Sequence, residues 1–131
     1  MSLKAPDRAK CNTALEKLLT DCEGARAAIL ALRDGRPYAE CTKGAIDQGK
    51  FAAMVSSLNA LGHSVLRELD SGRLDHVLIE GSDGKLVVSS VPDSGNLLIL
   101  AVLAEPKALL GLVLGKSKAC ASAISAIIPR E

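Results

Sequence analysis

The chain has 131 residues, of which 48% are hydrophobic and only two, Tyr38 and Phe51, are aromatic, and its formal net charge is +1. This length allows one domain, over residues 1–131, with a core of aliphatic side chains. A nearly neutral charge excludes the basic field that nucleic acid or anionic lipid requires, and the scarcity of aromatic side chains argues against stacking on single-stranded bases.

The start of the chain, MSLKAPDRAK, lacks the apolar core of a signal peptide. The longest apolar stretches are interrupted by charge or glycine well before they reach the length of a membrane span. We therefore expect a soluble, cytoplasmic protein with no membrane span.

The first third of the chain predicts a helix followed by a β-hairpin. Asp7 can cap the helix, and Gly24 is placed to end it. The apolar stripe of this helix consists of Cys11, Leu15, Leu18 and Cys22, at helical spacing. Residues 25–42 then alternate loosely and turn at Asp34-Gly35, which predicts two antiparallel strands.

The segment from about Asp47 to Leu69 predicts the clearest helix. Its apolar residues recur on one face, and they are Phe51, Met54, Val55, Leu58, Leu61, Val65 and Leu69. Small residues flank this face, and they are Ala53, Ser56, Ser57, Ala60 and Ser64. Small side chains often only fill a helix surface, but they also let a second helix approach closely. Both interpretations stay open at this point.

The remaining segment predicts three strands and a last helix. Val77 and Ile79 alternate with their neighbours, the chain reverses at 81–84, and residues 96–103 form a continuous apolar run typical of a central strand. Pro106 is expected at the start of the last helix. The predicted fold is α+β: a single five-stranded antiparallel sheet flanked by three helices, in the order α-β-β-α-β-β-β-α.

Residues 111–118, GLVLGKSK, are similar to a phosphate-binding loop, which reads G-x-x-x-x-G-K-[S/T]. One spacer residue is missing, and Gly111 is expected about one turn inside the last helix. A phosphate loop must instead wrap the anion before its helix begins. The segment therefore predicts helix and no nucleotide site.

No other group of residues indicates catalysis or metal binding. His63 and His76 have no adjacent serine or cysteine in a nucleophile context. The four cysteines form no C-x-x-C pair and no metal-ligand spacing with the histidines, so we expect reduced thiols that act as small hydrophobic side chains. We predict no catalytic residue, no cofactor and no metal.

Three segments of the chain resemble the roadblock/dynein light chain 7 superfamily. The runs VLIEGSDGKLVVSSV and NLLILAVL are similar to its central hairpin and fifth strand, and GARAAILALRDGRPYAE is similar to its first hairpin. The resemblance covers essentially the whole chain in order and implies a roadblock domain with a profilin-like fold. Members of this family are small non-enzymatic proteins that dimerise through the second helix and the third strand. Many bind small Ras-like GTPases as regulators or scaffolds, and others belong to the dynein motor.

The resemblance implies a homodimer interface on the second helix and on the strand from Asp75 to Ile79. The small flank of the helix would let two copies lie close together, and pairing of the two strands would satisfy an edge that otherwise invites aggregation. The predicted interface residues are Ala53, Ser56, Ser57, Ala60, His63, Ser64, Asp75, Val77 and Ile79. Arg67 and Arg73 are candidates for contact with the GTPase, although a solvated arginine is the simpler interpretation of each.

We therefore expect a non-enzymatic, homodimeric binding module for a small GTPase. A structural assembly subunit of the motor light-chain type stays open as an alternative, because only its partners would differ. A small-ligand sensor also stays open, but it needs an interior pocket with convergent polar groups, and the sequence reveals no such cluster.

Overall fold

The computed structural model describes residues 5–130. Its elements are α1 (Arg8–Asp21), β1 (Ala25–Leu32), β2 (Pro37–Thr42), α2 (Gln48–Glu68), β3 (Val77–Gly81), β4 (Gly84–Ser90), β5 (Leu98–Ala104) and α3 (Leu110–Ala126). The predicted order of three helices and five strands is confirmed. The prediction that the start of the chain is not a signal peptide falls partly on residues 1–4, which lie outside the described range. Within that range no helix is both long and apolar enough to span a membrane.

The five strands form one antiparallel sheet in the order β2-β1-β5-β4-β3. Strand β5 lies in the centre and is buried along almost its whole length, which confirms the prediction from its continuous apolar run. Strand β3 lies at one edge and pairs only with β4. The outer backbone groups of β3 therefore have no neighbour within the described sheet.

Two apolar layers cover the two faces of the sheet. Helices α1 and α3 pack on one face, where Leu30 and Leu100 belong to the larger core. Helix α2 packs on the other face, where Ile29 and Ile99 belong to a smaller core with Val55. Consecutive strand residues point to opposite faces, so β1 and β5 supply both layers at once.

Aspartate side chains cap the N-termini of the first two helices. A carboxylate oxygen of Asp7 accepts a 3.1 Å hydrogen bond from the backbone N–H of Lys10, and Asp47 accepts one of 3.0 Å from Lys50. Such caps satisfy N–H groups that the helix leaves free and contribute roughly 1 kcal/mol each. The predicted role of Asp7 is confirmed.

The predicted start of the last helix at Pro106 is wrong, because α3 begins at Leu110. The preceding residues make a turn that packs on Gly24, where an added Cβ would lie 2.7 Å from the Cβ of Ala108. The backbone N–H of Glu105 also donates to the carbonyl of Gly24 at 2.8 Å. The segment before α3 must therefore pack against Gly24 as a turn, and the helix begins only after it. As a result, Gly111 is the second residue of α3.

Candidate functional site

The apolar residues of α2 lie on one side of the helix, as predicted, but only part of that side contacts the sheet. Phe51, Val55 and Leu58 pack against the sheet. Four other members of the predicted face are among the exposed large hydrophobic residues, and we call them the α2 patch: Met54 (59% exposed), Leu61 (61%), Val65 (46%) and Leu69 (66%).

Two polar residues explain why α2 is turned in this way. Ser56 is buried, and its hydroxyl donates a 2.6 Å hydrogen bond to the carbonyl of Arg33. Asn59 is also buried, and its side-chain oxygen accepts a 3.3 Å hydrogen bond from the hydroxyl of Ser90. Because these contacts turn the side of the helix that carries Ser56 and Asn59 onto the sheet, part of its apolar side must face outward.

The exposed edge strand β3 lies beside α2 on the same side of the molecule. Val77 is half-buried and joins the small core under α2, while Ile79 is 44% exposed. A Cβ added to Gly62 would lie 3.0 Å from side-chain atoms of Leu74 and of Val77, so the glycine lets the start of β3 pack closely on the helix. The α2 patch and the free edge of β3 are thus parts of one surface.

The predicted interface residues fall into two groups in the structure. Those with exposed side chains are Ala53, Ser57, Ala60, Ser64, Asp75 and Ile79. Ser56, His63 and Val77 are buried or half-buried within the protomer. The ring of His63 lies with Nε2 3.4 Å from the hydroxyl of Ser90, so it belongs to the polar contacts between α2 and β4. Asp75 precedes β3, which begins at Val77.

The candidate partner residues Arg67 and Arg73 are both exposed, at the end of α2 and in the segment that follows it. Neither forms a salt bridge with another residue of the described part of the chain. Both guanidinium groups are therefore accessible to a partner.

The α2 patch itself was not among the predicted site residues. Its signal was present in the sequence, because seven large apolar residues on one helix are more than a single contact with a sheet can cover. The sequence does not show which of the seven face outward, since that depends on hydrogen bonds to Arg33 and Ser90, far away in the chain.

The thiols are structural side chains in this fold. Cys11, Cys22 and Cys120 are buried and Cys41 is half-buried, all as free cysteines. Burial raises the pKa of Cys11 to about 11 and that of Cys120 to about 12. Protonated thiols are poor nucleophiles and poor metal ligands. Among residues 5–130 no group of three metal-ligating side chains comes together.

The segment that is similar to a phosphate loop is part of a helix, as predicted. Residues 111–118 lie within α3, and Ser117 faces the interior with 3% of its surface exposed. A phosphate loop binds through backbone N–H groups that are free of helical hydrogen bonds. Beyond the first turn, the N–H groups of this segment are engaged in the helix.

Comparison with known proteins gives a consistent result for the fold. Residues 12–104 match the family model described as the Roadblock/LC7 domain. A structure described as MglB with tetrameric arrangement superposes with a TM-score of 0.82 at 22% identity, covering 92% of this chain and 88% of that one. Myxococcus xanthus MglB gives 0.84 at 19% identity, covering 97% and 93%. Acanthamoeba castellanii profilin II gives 0.59 at 14% identity, covering 88% and 96%.

Comparison with curated protein sequences gives no match. The family model nevertheless spans all five strands and α2, and therefore includes α2 and β3, the two elements that build the surface described above. The profilin superposition agrees with the five-stranded sheet between two helical layers. This chain belongs to the Roadblock/LC7 domain family and has a profilin-like fold.

Proposed function

We propose that this chain is a non-enzymatic, homodimeric binding module that regulates or scaffolds a small Ras-like GTPase. The observation that carries the proposal is the α2 patch beside the unpaired edge of β3. A single protomer seldom exposes contiguous large apolar side chains together with a free strand edge, because both favour association.

A two-fold symmetric dimer would cover both features. Pairing β3 with its copy would supply hydrogen-bond partners for the outer edge and join two sheets into one of ten strands. The two α2 helices would then lie side by side over the joined sheet. Ala53, Ser57, Ala60 and Ser64 would allow close approach of the helices, and Met54, Leu61 and Val65 would supply the apolar contact.

The buried members of the predicted interface support this surface from behind. Ser56 holds α2 to the carbonyl of Arg33, and His63 joins α2 to β4 through Ser90. Val77 fixes the start of β3 under the helix. Their proposed role is to orient the exposed residues, because their own side chains are occupied within the protomer.

The GTPase part of the proposal rests on membership of the family, which includes many GTPase regulators and scaffolds. The likeness to MglB, including one structure described as a tetrameric arrangement, supports assembly from several copies. Arg67, near the end of α2, and Arg73, in the segment after it, form no salt bridge within residues 5–130, and their guanidinium groups would donate hydrogen bonds to acidic or phosphate groups of a partner. The module would act by holding or ordering the partner's own catalytic groups.

The test is recovery of partners from lysate of the protein's own cells. The tagged protein is incubated with GTP analogue or with GDP, and bound proteins are identified by mass spectrometry. The proposal predicts a small GTPase that is enriched in one nucleotide state and lost when Arg67 and Arg73 are both changed to serine. Absence of any GTPase in both states, with other proteins retained, would contradict it and favour a structural assembly subunit.

A further inference from the structure

The alternation of backbone hydrogen bonds decides which residues of β3 direct free groups to the open edge of the sheet. The backbone N–H of Val91, just after β4, donates to the carbonyl of Leu98 at 2.9 Å and continues the register of β4 with β5. Odd-numbered residues of β4 therefore bond to β5, and even-numbered residues bond to β3. Their partners in β3 are Val77, Ile79 and Gly81. The residues that direct N–H and C=O outward are consequently His76, Leu78 and Glu80.

The sequence along this edge is complementary to its own reversal. Residues 76–80 read His-Val-Leu-Ile-Glu, so the central leucine has an aliphatic residue on each side, followed by an imidazole at one end and a carboxylate at the other. Two-fold antiparallel pairing sets each residue opposite one that lies equally far from the centre. Centred on the leucine, it places Val77 opposite Ile79 of the second copy. It also places His76 opposite Glu80 of the second copy.

The neighbouring registers match the side chains less well. Registers that keep outward residues opposite each other are also possible with the centre on Val77 or on Ile79. The first places Leu78, which is 37% exposed, opposite His76 of the second copy, and the second places it opposite Glu80. Cross-strand pairs stabilise a sheet when apolar meets apolar or when opposite charges meet, and the side-chain pattern sets the register. The register centred on Leu78 is therefore favoured.

The polar side chains at the two ends of this segment are accessible to a second copy. His76 and Glu80 are exposed, and neither forms a salt bridge within residues 5–130. Lys85 of β4 lies opposite Glu80, but its ammonium donates a 2.7 Å hydrogen bond to the carbonyl of Ala108. An imidazole can donate to a carboxylate whether it is neutral or protonated. The Glu80 carboxylate can therefore accept a hydrogen bond from His76 of the second copy.

We propose that two copies of this chain pair along β3 in a single register, with Leu78 on the two-fold axis and each His76 donating to Glu80 of the other copy. The inference rests on the proposed homodimer and deepens it, because it names the residues that align the two sheets. Val77 and Ile79 lie on the sheet face that carries α2, and Leu78 lies on the opposite face beside Val87. The pairing thus sets apolar side chains against each other on both faces.

Disulfide formation between single introduced cysteines measures the register. Residues opposite each other in a hydrogen-bonded antiparallel pair have Cα atoms about 5.5 Å apart, which a disulfide can span. Leu78→Cys is therefore expected to form a covalent dimer on mild oxidation. Ile79→Cys is expected to form at least about five-fold less, because its two copies lie on a diagonal about 7–8 Å apart. Both variants carry Cys41→Ser as well, since Cys41 is half-buried and the other native thiols are buried.

A mixture of two further variants tests the polar pair. His76→Cys and Glu80→Cys are expected to form a covalent dimer when mixed and not when oxidised alone. More self-crosslinking at Ile79 than at Leu78, or none at Leu78 in a protein that sediments as a dimer, would overturn the register and leave the dimer standing. A wild-type protein that sediments as a monomer would contradict the proposed function as well.

Charge exchange supplies a second measurement that needs no thiol. His76→Glu sets carboxylates opposite each other, and we expect it to raise the dimer dissociation constant about five-fold or more. Adding Glu80→Lys is expected to bring the constant back to within about two-fold of the wild type. Within one chain the two positions are roughly 13 Å apart, beyond the screening length at physiological salt, so recovery requires contact between copies. A double variant that dimerises no better than His76→Glu would overturn the pairing of His76 with Glu80.

Discussion

The hydroxyl of Ser56 donates a 2.6 Å hydrogen bond to the carbonyl of Arg33, and this contact ties α2 to the end of β1. Both groups lie where the helix crosses the sheet, and Ser56 is buried. The contact fixes the rotation of α2 about its own axis. Met54 and Leu61, on the other side of the helix, are consequently turned outward to form the α2 patch.

Removing this contact should destabilise the protomer. Ser56→Ala leaves the Arg33 carbonyl without its side-chain donor, and we expect a loss of about 1 kcal/mol in the free energy of unfolding. The neighbouring exposed residue supplies the control, because Ser57→Ala should change the free energy of unfolding by less than about 0.5 kcal/mol. Urea denaturation of both variants measures the difference. Equal stabilities would mean that the Ser56 contact does not hold the helix.

A leucine of the α2 patch should matter for association and not for folding. Burying a leucine side chain contributes about 1.5–3 kcal/mol, and a symmetric dimer buries two copies of Leu61. We therefore expect Leu61→Ser to raise the dimer dissociation constant by at least about ten-fold. Leu109→Ser is the matched control, because Leu109 is 72% exposed and lies outside the patch. Light scattering over a dilution series measures the dissociation constants of both variants. An equal increase for Leu61→Ser and Leu109→Ser would contradict the prediction.

Two helical glycines should respond in opposite ways to substitution by alanine. Gly115 in α3 has nothing within 4 Å of an added Cβ, so alanine gains about 1 kcal/mol from the lower entropy of the unfolded chain. At Gly62 an added Cβ would lie 3.0 Å from Leu74 and Val77, which opposes that gain. We expect Gly115→Ala to be more stable than Gly62→Ala by at least about 1 kcal/mol in thermal unfolding. Equal stabilities would show that β3 does not depend on close packing at Gly62.

The buried thiols should make stability fall in alkaline solution. Burial raises the pKa of Cys11 from 9.0 to about 11, and that of Cys120 from 9.0 to about 12. Below pH 9 a buried thiol is protonated in the folded and in the unfolded state, and its contribution to the free energy of unfolding is fully present. As the pH rises from 9 towards the folded-state pKa, that contribution is lost, because the thiol of the unfolded chain releases its proton first.

The double variant Cys11→Ala, Cys120→Ala tests this pH dependence. Its free energy of unfolding should fall less steeply between pH 9 and 11 than that of the wild type, whatever the offset caused by the smaller side chains. Denaturant titrations at several pH values measure the two slopes. Parallel slopes would exclude these thiols as the cause.

Most of the fold could be predicted from the sequence because its signals are local. The cap at Asp7, the turn at Asp34-Gly35 and the apolar run of β5 each depend on a few neighbouring residues. The start of α3 could not be predicted, because it depends on packing of the preceding turn against Gly24, far away in the chain. Local patterns determine which elements form, while distant contacts decide where one of them begins.

The candidate surface was predicted only in part for the same reason. Alanines and serines beside an apolar stripe indicated a helix surface with room for a partner. The stripe itself gave no sign that Leu61 and Val65 face outward while Val55 faces the sheet.

The central claim is tested most directly by sedimentation equilibrium on Ala60→Arg, with Ala119→Arg as its control. Both alanines are exposed, Ala60 in the proposed interface of α2 and Ala119 on α3 outside it. The account predicts a mass of twice 13.6 kDa for the wild type and for Ala119→Arg, and 13.6 kDa for Ala60→Arg. A wild-type monomer, or a stable dimer of Ala60→Arg, would contradict it.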